Sequence, residues 1–312
     1  VQQQRQIGAS GIEIAPLVLG GNVFGFTADE KTSFAILDAF VDHGGSAIDT
    51  ADVYSNWAPD HQGGESENVI GAWLKQSGKR NKVVIGTKVG SWDKHPGLGR
   101  ENIISACEGS LRRLGVETID LYWLHRDDLK TPAEEYVGAL ETLVRDGKVR
   151  ALGASNFEPE RFREAIAEAR RRGLRFDAQQ PEYNLMQRGI EAALMPLCVE
   201  EGVSLLPYYG LASGYLTGKY RSEADKAKSV RGGRMDKYMA GKGPAVLAAL
   251  DTVAARRNAT PAQIALAWIM TKPAIGGPIA SATSVVQLRE LMGALELTLS
   301  PEDVAELDRA SA

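Results

Sequence analysis

Residues 83–125, VVIGTKVGSWDKHPGLGRENIISACEGSLRRLGVETIDLYWLH, hold the pattern that decides the fold. An apolar run, 83–89 (VVIGTKV), precedes a segment in which Ile103, Cys107, Leu111 and Leu114 fall on one helical stripe. A second apolar run, 119–125 (IDLYWLH), follows. Neither run alternates strictly between apolar and polar residues. Continuous apolar character is expected of a parallel strand covered on both faces. A parallel neighbour is reached by a crossover, usually a helix. The unit therefore reads strand, helix, strand.

The same rhythm extends outward in both directions. Further strands are expected at 17–21 (LVLGG), 47–51 (AIDTA), 150–155 (RALGAS), 177–181 (DAQQP), 203–209 (VSLLPYY) and 278–283 (PIASAT). Ala133, Val137, Leu140 and Val144 form another helical stripe. Thr131-Pro132-Ala133-Glu134 and Thr260-Pro261-Ala262-Gln263 read as helix starts with a capping box. Thr27-Ala28-Asp29-Glu30 and Ser284-Val285-Val286-Gln287 repeat that logic. Gly44, Gly78, Gly115, Gly147, Gly173 and Gly202 stand where helices should stop. Strand–helix alternation repeated eight times predicts an α/β fold, a (β/α)8 TIM barrel, with 1–312 as a single domain.

Residues 4–14 (QRQIGASGIEI) read as an N-terminal β-hairpin on the barrel floor, and 210–243 as a long loop after the seventh strand. Helical patterns near 244–257 and 261–272 fill the rest of that gap. An open doubly wound sheet is the alternative. The place of its G-x-G-x-x-G turn holds Gly20-Gly21-Asn22-Val23-Phe24-Gly25, which does not fit.

Composition excludes several function classes. Lys and Arg number 36 against 40 Asp and Glu, a formal charge of −4, which argues against nucleic acid or anionic membrane as a partner. No run of about 18 apolar residues occurs, so no transmembrane helix is expected. The opening VQQQRQIGASG lacks the apolar segment of a secretory signal. Cys107 and Cys198 form neither a metal spacing nor a disulfide framework, and a cytoplasmic location is expected. His43, His61, His95 and His125 make no H-E-x-x-H pattern, so no metal is expected.

The informative feature is where apolar strands turn polar, because active sites of such barrels sit at the C-terminal strand ends. The second strand ends in Asp49 with Tyr54 just beyond, the third carries Lys88, and the fourth ends in His125. Each alone has an ordinary structural explanation: a turn former, a snorkelling cation, a satisfied imidazole, a packing ring. Together, on three adjacent strands, they point to one rim. A phenol is a weak acid, with a reference pKa of about 10. A neighbouring ammonium is expected to lower it, while Asp49 holds Lys88 and His125 donates to a carbonyl oxygen. That set suits carbonyl polarisation and protonation but supplies no hydride.

The sequence resembles the aldo-keto reductase superfamily, in its bacterial NADP-dependent oxidoreductase branch. The matching segments, in family order, are IDTADVYS (48–55), GTKVG (86–90), LYWLHRDD (121–128), GASNF (153–157), QPEYNL (180–185), LPYYGLASGYLTGKY (206–220) and ASATSVVQLREL (280–291). The resemblance implies a catalytic tetrad of Asp49, Tyr54, Lys88 and His125, with Tyr54 the acid in reduction and the base in oxidation. It also implies a nicotinamide dinucleotide held without a Rossmann fold. Ser155, Asn156 and Gln180 would hold the carboxamide and Tyr208 would stack on the ring. Leu211, Ser213 and Gly214 would wrap the pyrophosphate. Gly21 and Asn22 would lie near the ribose, alongside Asp49. Ser281, Ala282, Thr283, Gln287 and Glu290 would meet the adenosine end.

Related branches place a cation after the eighth strand, where Ser281-Ala282-Thr283-Ser284 has none. The resemblance nevertheless implies NADP, with NAD as the alternative. Lys219, Arg231 and Arg234 could add charge from the long loop, which the resemblance implies closes over the cofactor. Phe24, Trp57 and Trp92 are expected at the substrate mouth. No Arg is evidently placed to hold an anion, so the expected substrate is a neutral carbonyl or alcohol. The implied activity is NAD(P)H-dependent interconversion of aldehyde or ketone and alcohol. Two alternatives are a dinucleotide redox-sensing regulatory subunit with little turnover, and a barrel glycosidase using Asp49 and Asp52. The oligomeric state is not indicated.

Overall fold

The computed structural model describes residues 4–228, 233 and 235–312. Eight parallel strands occur where the apolar runs place them: Val18–Gly20, Ala47–Asp49, Val84–Val89, Ile119–Leu124, Val149–Ser155, Ala178–Gln180, Ser204–Leu205 and Ile279–Ala280. The second to the seventh each pair in parallel with the strand preceding them among these eight, and the eighth pairs with the first. The remaining seam, between the seventh and eighth strands, is closed by single backbone bonds. Leu205 N donates to Ala274 O (2.7 Å), Gly276 N to Leu205 O (2.8 Å) and Ile279 N to Pro207 O (2.8 Å). The result is the expected (β/α)8 barrel.

Helices cover the outside. Arg100–Leu114 buries Ile103, Cys107, Leu111 and Leu114 as its stripe requires, and Ala133–Arg145 buries Ala133, Val137 and Leu140. Thr260 caps Pro261–Met270 with a complete capping box, and the Ser284 side chain accepts from Gln287 N. Two expected caps fail. Thr131 donates its hydroxyl to Asp128 Oδ2 (2.6 Å), leaving Pro132 at the cap position without a side-chain bond. The cap at the first helix is Asp29 and not Thr27, because its carboxylate accepts from Thr32 N at 2.8 Å.

The floor is closed by the hairpin Arg5–Gln6 and Glu13–Ile14, with Arg5 opposite Ile14. Its Ile7, Ile12 and Ile14 pack in the barrel interior with Val18, Ala47, Leu121 and Trp123. Long connections after the seventh strand hold short helical turns at Ala212–Thr217 and Glu223–Lys228, then helices Asp236–Met239, Gly243–Arg257 and Pro261–Met270. Arg231 and Arg234 lie outside the described residues. Among the described residues, no helix is long and apolar enough to cross a membrane.

Trp123 fills the barrel interior below the strand ends, and two neighbours lack side chains to admit it. A Cβ on Gly153 would stand 2.2 Å from Trp123 Cε3, and one on Gly86 would stand 2.9 Å from Trp123 Nε1. Gly153 is the direct partner of Trp123 on the adjacent strand. Gly153→Ala is therefore expected to destabilise the fold by roughly 1–3 kcal/mol through overpacking. Adding Trp123→Phe should recover part of that loss in thermal melts.

Candidate functional site

Lys88 organises the strand ends. Its side chain is fully buried, and its ammonium donates to Asp49 Oδ2 (2.5 Å), Thr50 O (2.7 Å) and Tyr54 Oη (2.8 Å). All three protons of the ammonium are thus used. Tyr54 Oη accepts in this contact, so the phenol's own proton is directed elsewhere. Asp49 is buried too, and its second oxygen accepts from Gln180 Nε2 at 3.0 Å. Tyr54 and His125 are only half-buried and stand edge-on to each other, ring centroids 6.0 Å apart at 74°. The four residues expected to meet do meet. Two lie below the rim and two at it.

Burial sets the charge states. It drives the Lys88 ammonium toward the neutral form, but Asp49 and Tyr54 outweigh it and the group is shifted upward. Burial pushes Asp49 up against the opposing pull of Lys88 and Gln180. His125 is held well below its ordinary value, first by burial and then by the Lys88 and Arg126 charges. A neutral imidazole keeps one N–H to donate. The Tyr54 phenol corrects an expectation: burial raises it and Lys88 opposes that rise, yet the net direction is upward. The ammonium limits the rise without reversing it.

The next three strands extend the network. Ser155 Oγ donates to Gln180 O (2.9 Å). Asn156 Nδ2 donates to His125 O and to Ser155 Oγ, each at 3.0 Å, and Tyr208 Oη donates to Asn156 Oδ1 at 2.7 Å. Asn156 adopts φ +57°, a left-handed conformation that Asn tolerates. Two amides, a hydroxyl and a half-buried phenol ring therefore converge beside Tyr54. These donors and acceptors could hold a carboxamide-bearing aromatic ring. Ala212, Ser213 and Gly214, at φ +47°, +58° and +97°, turn the chain left-handed just beyond Leu211.

At the opposite edge Ser281 Oγ donates to Asn22 Oδ1 (2.5 Å), joining the ends of the eighth and first strands. A Cβ on Gly20 would stand 2.4 Å from that hydroxyl, and one on Gly21 would meet Ser66 Oγ at 3.0 Å. Thr283 N and Oγ1 both donate to Gln287 Oε1 at 2.9 Å. Ala282 is fully buried, and Glu290 is exposed on the helix Val285–Met292.

The mouth differs from expectation in two aromatics. Phe24 is 0% exposed and belongs to the core. Trp92 is buried behind Tyr54, against Ala51 and Val53, with Lys94 and Arg113 over its ring. Trp57 is 50% exposed, with its ring 5.9 Å from that of Tyr54. The unforeseen wall residues are Phe26, edge-on to Trp57 at 6.3 Å, and Tyr209, which is 39% exposed. The left-handed backbone of Tyr209 (φ +54°) separates it from Tyr208, a distinction that adjacent tyrosines do not advertise.

Sequence reasoning assigned Asp52 only to the glycosidase alternative, and the structure disfavours that use. Asp49 is held by Lys88 and Gln180, while Asp52 is 0% exposed, with no hydrogen-bond partner for either carboxyl oxygen among the described residues. Glu67, also fully buried, accepts from Thr87 Oγ1 and Arg113 Nε, both at 2.6 Å. Burial pushes Asp52 up to about 8, reinforced by Glu67 and opposed by Arg113. Among the described residues no group of three or more His, Cys, Asp or Glu could hold a metal ion.

The folded carboxyl of Asp52 thus keeps its proton to higher pH than the unfolded one, whose pKa is about 3.9. Its contribution to stability is whole below about pH 4 and is lost as pH rises toward 8. Asp52→Asn should therefore raise the melting temperature at pH 8 and change it little at pH 4. Equal shifts at both pH values in a series of thermal melts would contradict this account.

Comparison with known proteins agrees with this arrangement. The model of the Aldo/keto reductase family matches residues 16–312. Uncharacterized oxidoreductase YrpG of Bacillus subtilis (strain 168) is 34% identical over 95% of this chain and 92% of its own length. Aldo-keto reductase str7 of Strobilurus tenacellus is 34% identical, covering 96% and 87%. A probable voltage-gated potassium channel subunit beta of Arabidopsis thaliana is 32% identical, covering 95% and 92%. With a family pattern matched along nearly the whole chain and relatives aligned over most of their own length, the chain belongs to the aldo/keto reductase family.

Proposed function

We propose that the chain interconverts an aldehyde or ketone and the corresponding alcohol with a nicotinamide dinucleotide, Tyr54 acting as acid in reduction and as base in oxidation. One observation carries the reading: the buried Lys88 ammonium bridges Asp49 and the Tyr54 hydroxyl, with the His125 ring alongside. The dinucleotide supplies the hydride when bound. Ser155, Asn156 and Gln180 would hold its carboxamide, and Tyr208 would stack on the ring. Leu211, Ser213 and Gly214 would meet the pyrophosphate. Gly21, Asn22 and Asp49 would lie near the nicotinamide ribose, with Ser281, Ala282, Thr283, Gln287 and Glu290 at the adenosine end.

The rest is done by the chain's own groups. A carbonyl oxygen at the rim receives hydrogen bonds from Tyr54 and from neutral His125, which polarise it. As negative charge develops on that oxygen, the phenol proton moves to it from Tyr54 Oη. Lys88 already donates to Oη, so the phenolate left behind is stabilised without rearrangement. In oxidation the phenolate takes the alcohol proton back.

NADP stands ahead of NAD by family resemblance, although 281–284 carries no cation. Both cysteines are free and buried, which suits a reducing cytoplasm. The relatives named as channel subunits give the redox-sensing reading its support: such a protein would keep the dinucleotide and turn over slowly.

Tyr54→Phe should lower reduction of a test aldehyde by about 100-fold or more, while fluorescence titration shows NADPH still bound. Near-parental turnover by this variant would remove Tyr54 from the acid role. Tight NADPH binding by the parent protein with no turnover of any carbonyl would favour the sensing role.

A further inference from the structure

We propose that the substrate carries an anionic group, a carboxylate or a phosphate, and that Arg126 binds it at the rim of the mouth. The inference rests on the carbonyl-reducing reading and narrows its substrate class. It also departs from the neutral substrate expected of the sequence.

Three charges follow His125 in LHRDD, and the two acids are committed elsewhere. Asp127 accepts from Arg161 Nε (3.0 Å) and Nη2 (3.1 Å). Asp128 accepts from Thr131 Oγ1 (2.6 Å), Lys130 N (3.1 Å) and Leu98 N (3.2 Å). These bonds fix the loop on both sides of its turn. Arg126, between His125 and Asp127, is exposed and makes no hydrogen bond, ion pair or ring contact with any described residue. Arg161, Arg172 and Arg188, by contrast, each hold a carboxylate.

The charge of Arg126 is felt at the His125 ring and at the Tyr208 hydroxyl. Arg126 stands two residues beyond the end of the fourth strand, Ile119–Leu124, and directly follows His125, whose ring is edge-on to that of Tyr54, so it lies on the loop that rims the barrel mouth. Glu182 also acts on Tyr208, yet it forms no ion pair with Arg126. The rings of Phe26 and Trp57 are exposed beside Tyr54. A substrate that places its carbonyl at Tyr54 and His125 therefore meets exposed aromatic rings and a guanidinium that has no ion-pair partner among the described residues. A guanidinium is suited to bidentate carboxylate or phosphate recognition.

The test compares matched pairs with NADPH: 4-carboxybenzaldehyde against 4-methylbenzaldehyde, and glyceraldehyde 3-phosphate against glyceraldehyde. The charged member of at least one pair should have the higher kcat/KM, by about tenfold, the value of one charge-assisted hydrogen bond. The responding pair separates carboxylate from phosphate. The preference should shrink at about 0.5 M salt, collapse in Arg126→Met and survive in part in Arg126→Lys. Calorimetry with 4-(hydroxymethyl)benzoate or glycerol 3-phosphate and the protein with NADP+ provides a readout independent of turnover. Turnover without preference for charge, or a preference that Arg126→Met leaves unchanged, overturns the inference and spares the reductase reading. Anion binding that depends on Arg126, with no aldehyde reduced, does the reverse.

Discussion

The strand-end site depends on one ammonium that has no access to water. Removing Lys88 from solvent is costly unless every proton finds an acceptor and a counter-charge stands close by. The structure meets both conditions with a carboxylate from the second strand, a backbone carbonyl and the Tyr54 phenol. Each acceptor is thereby fixed relative to the third strand. Breaking any one would leave a buried charge short of a partner, so the geometry is enforced by the penalty for losing it as much as by attraction.

From this centre order passes along the rim. Asp49 reaches Gln180 on the sixth strand, Gln180 O accepts from Ser155 on the fifth, and Asn156 ties together the fourth, fifth and seventh. Parallel pairing makes that chain possible, because it brings all the C-terminal strand ends to the same end of the barrel. Trp123 supports it from below. Its indole occupies the space released by Gly86 and Gly153, and the isoleucines of the hairpin close the interior beneath. Positive backbone φ values at Ser55, Asn156, Tyr209 and Ser213 cluster in the same loops, where strained conformations are commonly retained.

Much of this was legible in the sequence because burial on both faces leaves a plain signature. Eight apolar runs marked eight strands, and a polar residue ending such a run had few structural uses. What stayed hidden depended on distances across the fold. Nothing in FGF at 24–26 says that the first ring enters the core and the second faces solvent. Trp92 looked like a mouth residue, yet a short hairpin, Ser91–Trp92 with His95–Pro96, turns it behind Tyr54. The Asp52, Glu67 and Arg113 cluster joins three segments far apart in the chain, and only the fold reveals it. The sign of the Tyr54 shift could not be read either, since it weighs desolvation against a neighbour whose burial was unknown. Thr131 illustrates a smaller competition: a nearby carboxylate outbid the helix for its hydroxyl.

The sealed floor gives the molecule a direction of traffic. With the hairpin below and an indole plugging the axis, matter can enter and leave the barrel only through the end where the loops lie. Tyr54 Oη already accepts a hydrogen bond from Lys88 on its inner side. On the proposed reading, the proton that the phenol gives up is the one directed to the outer side. If the protein turns over as proposed, arrival and departure share one doorway, and the tempo of successive cycles belongs to the loops around it.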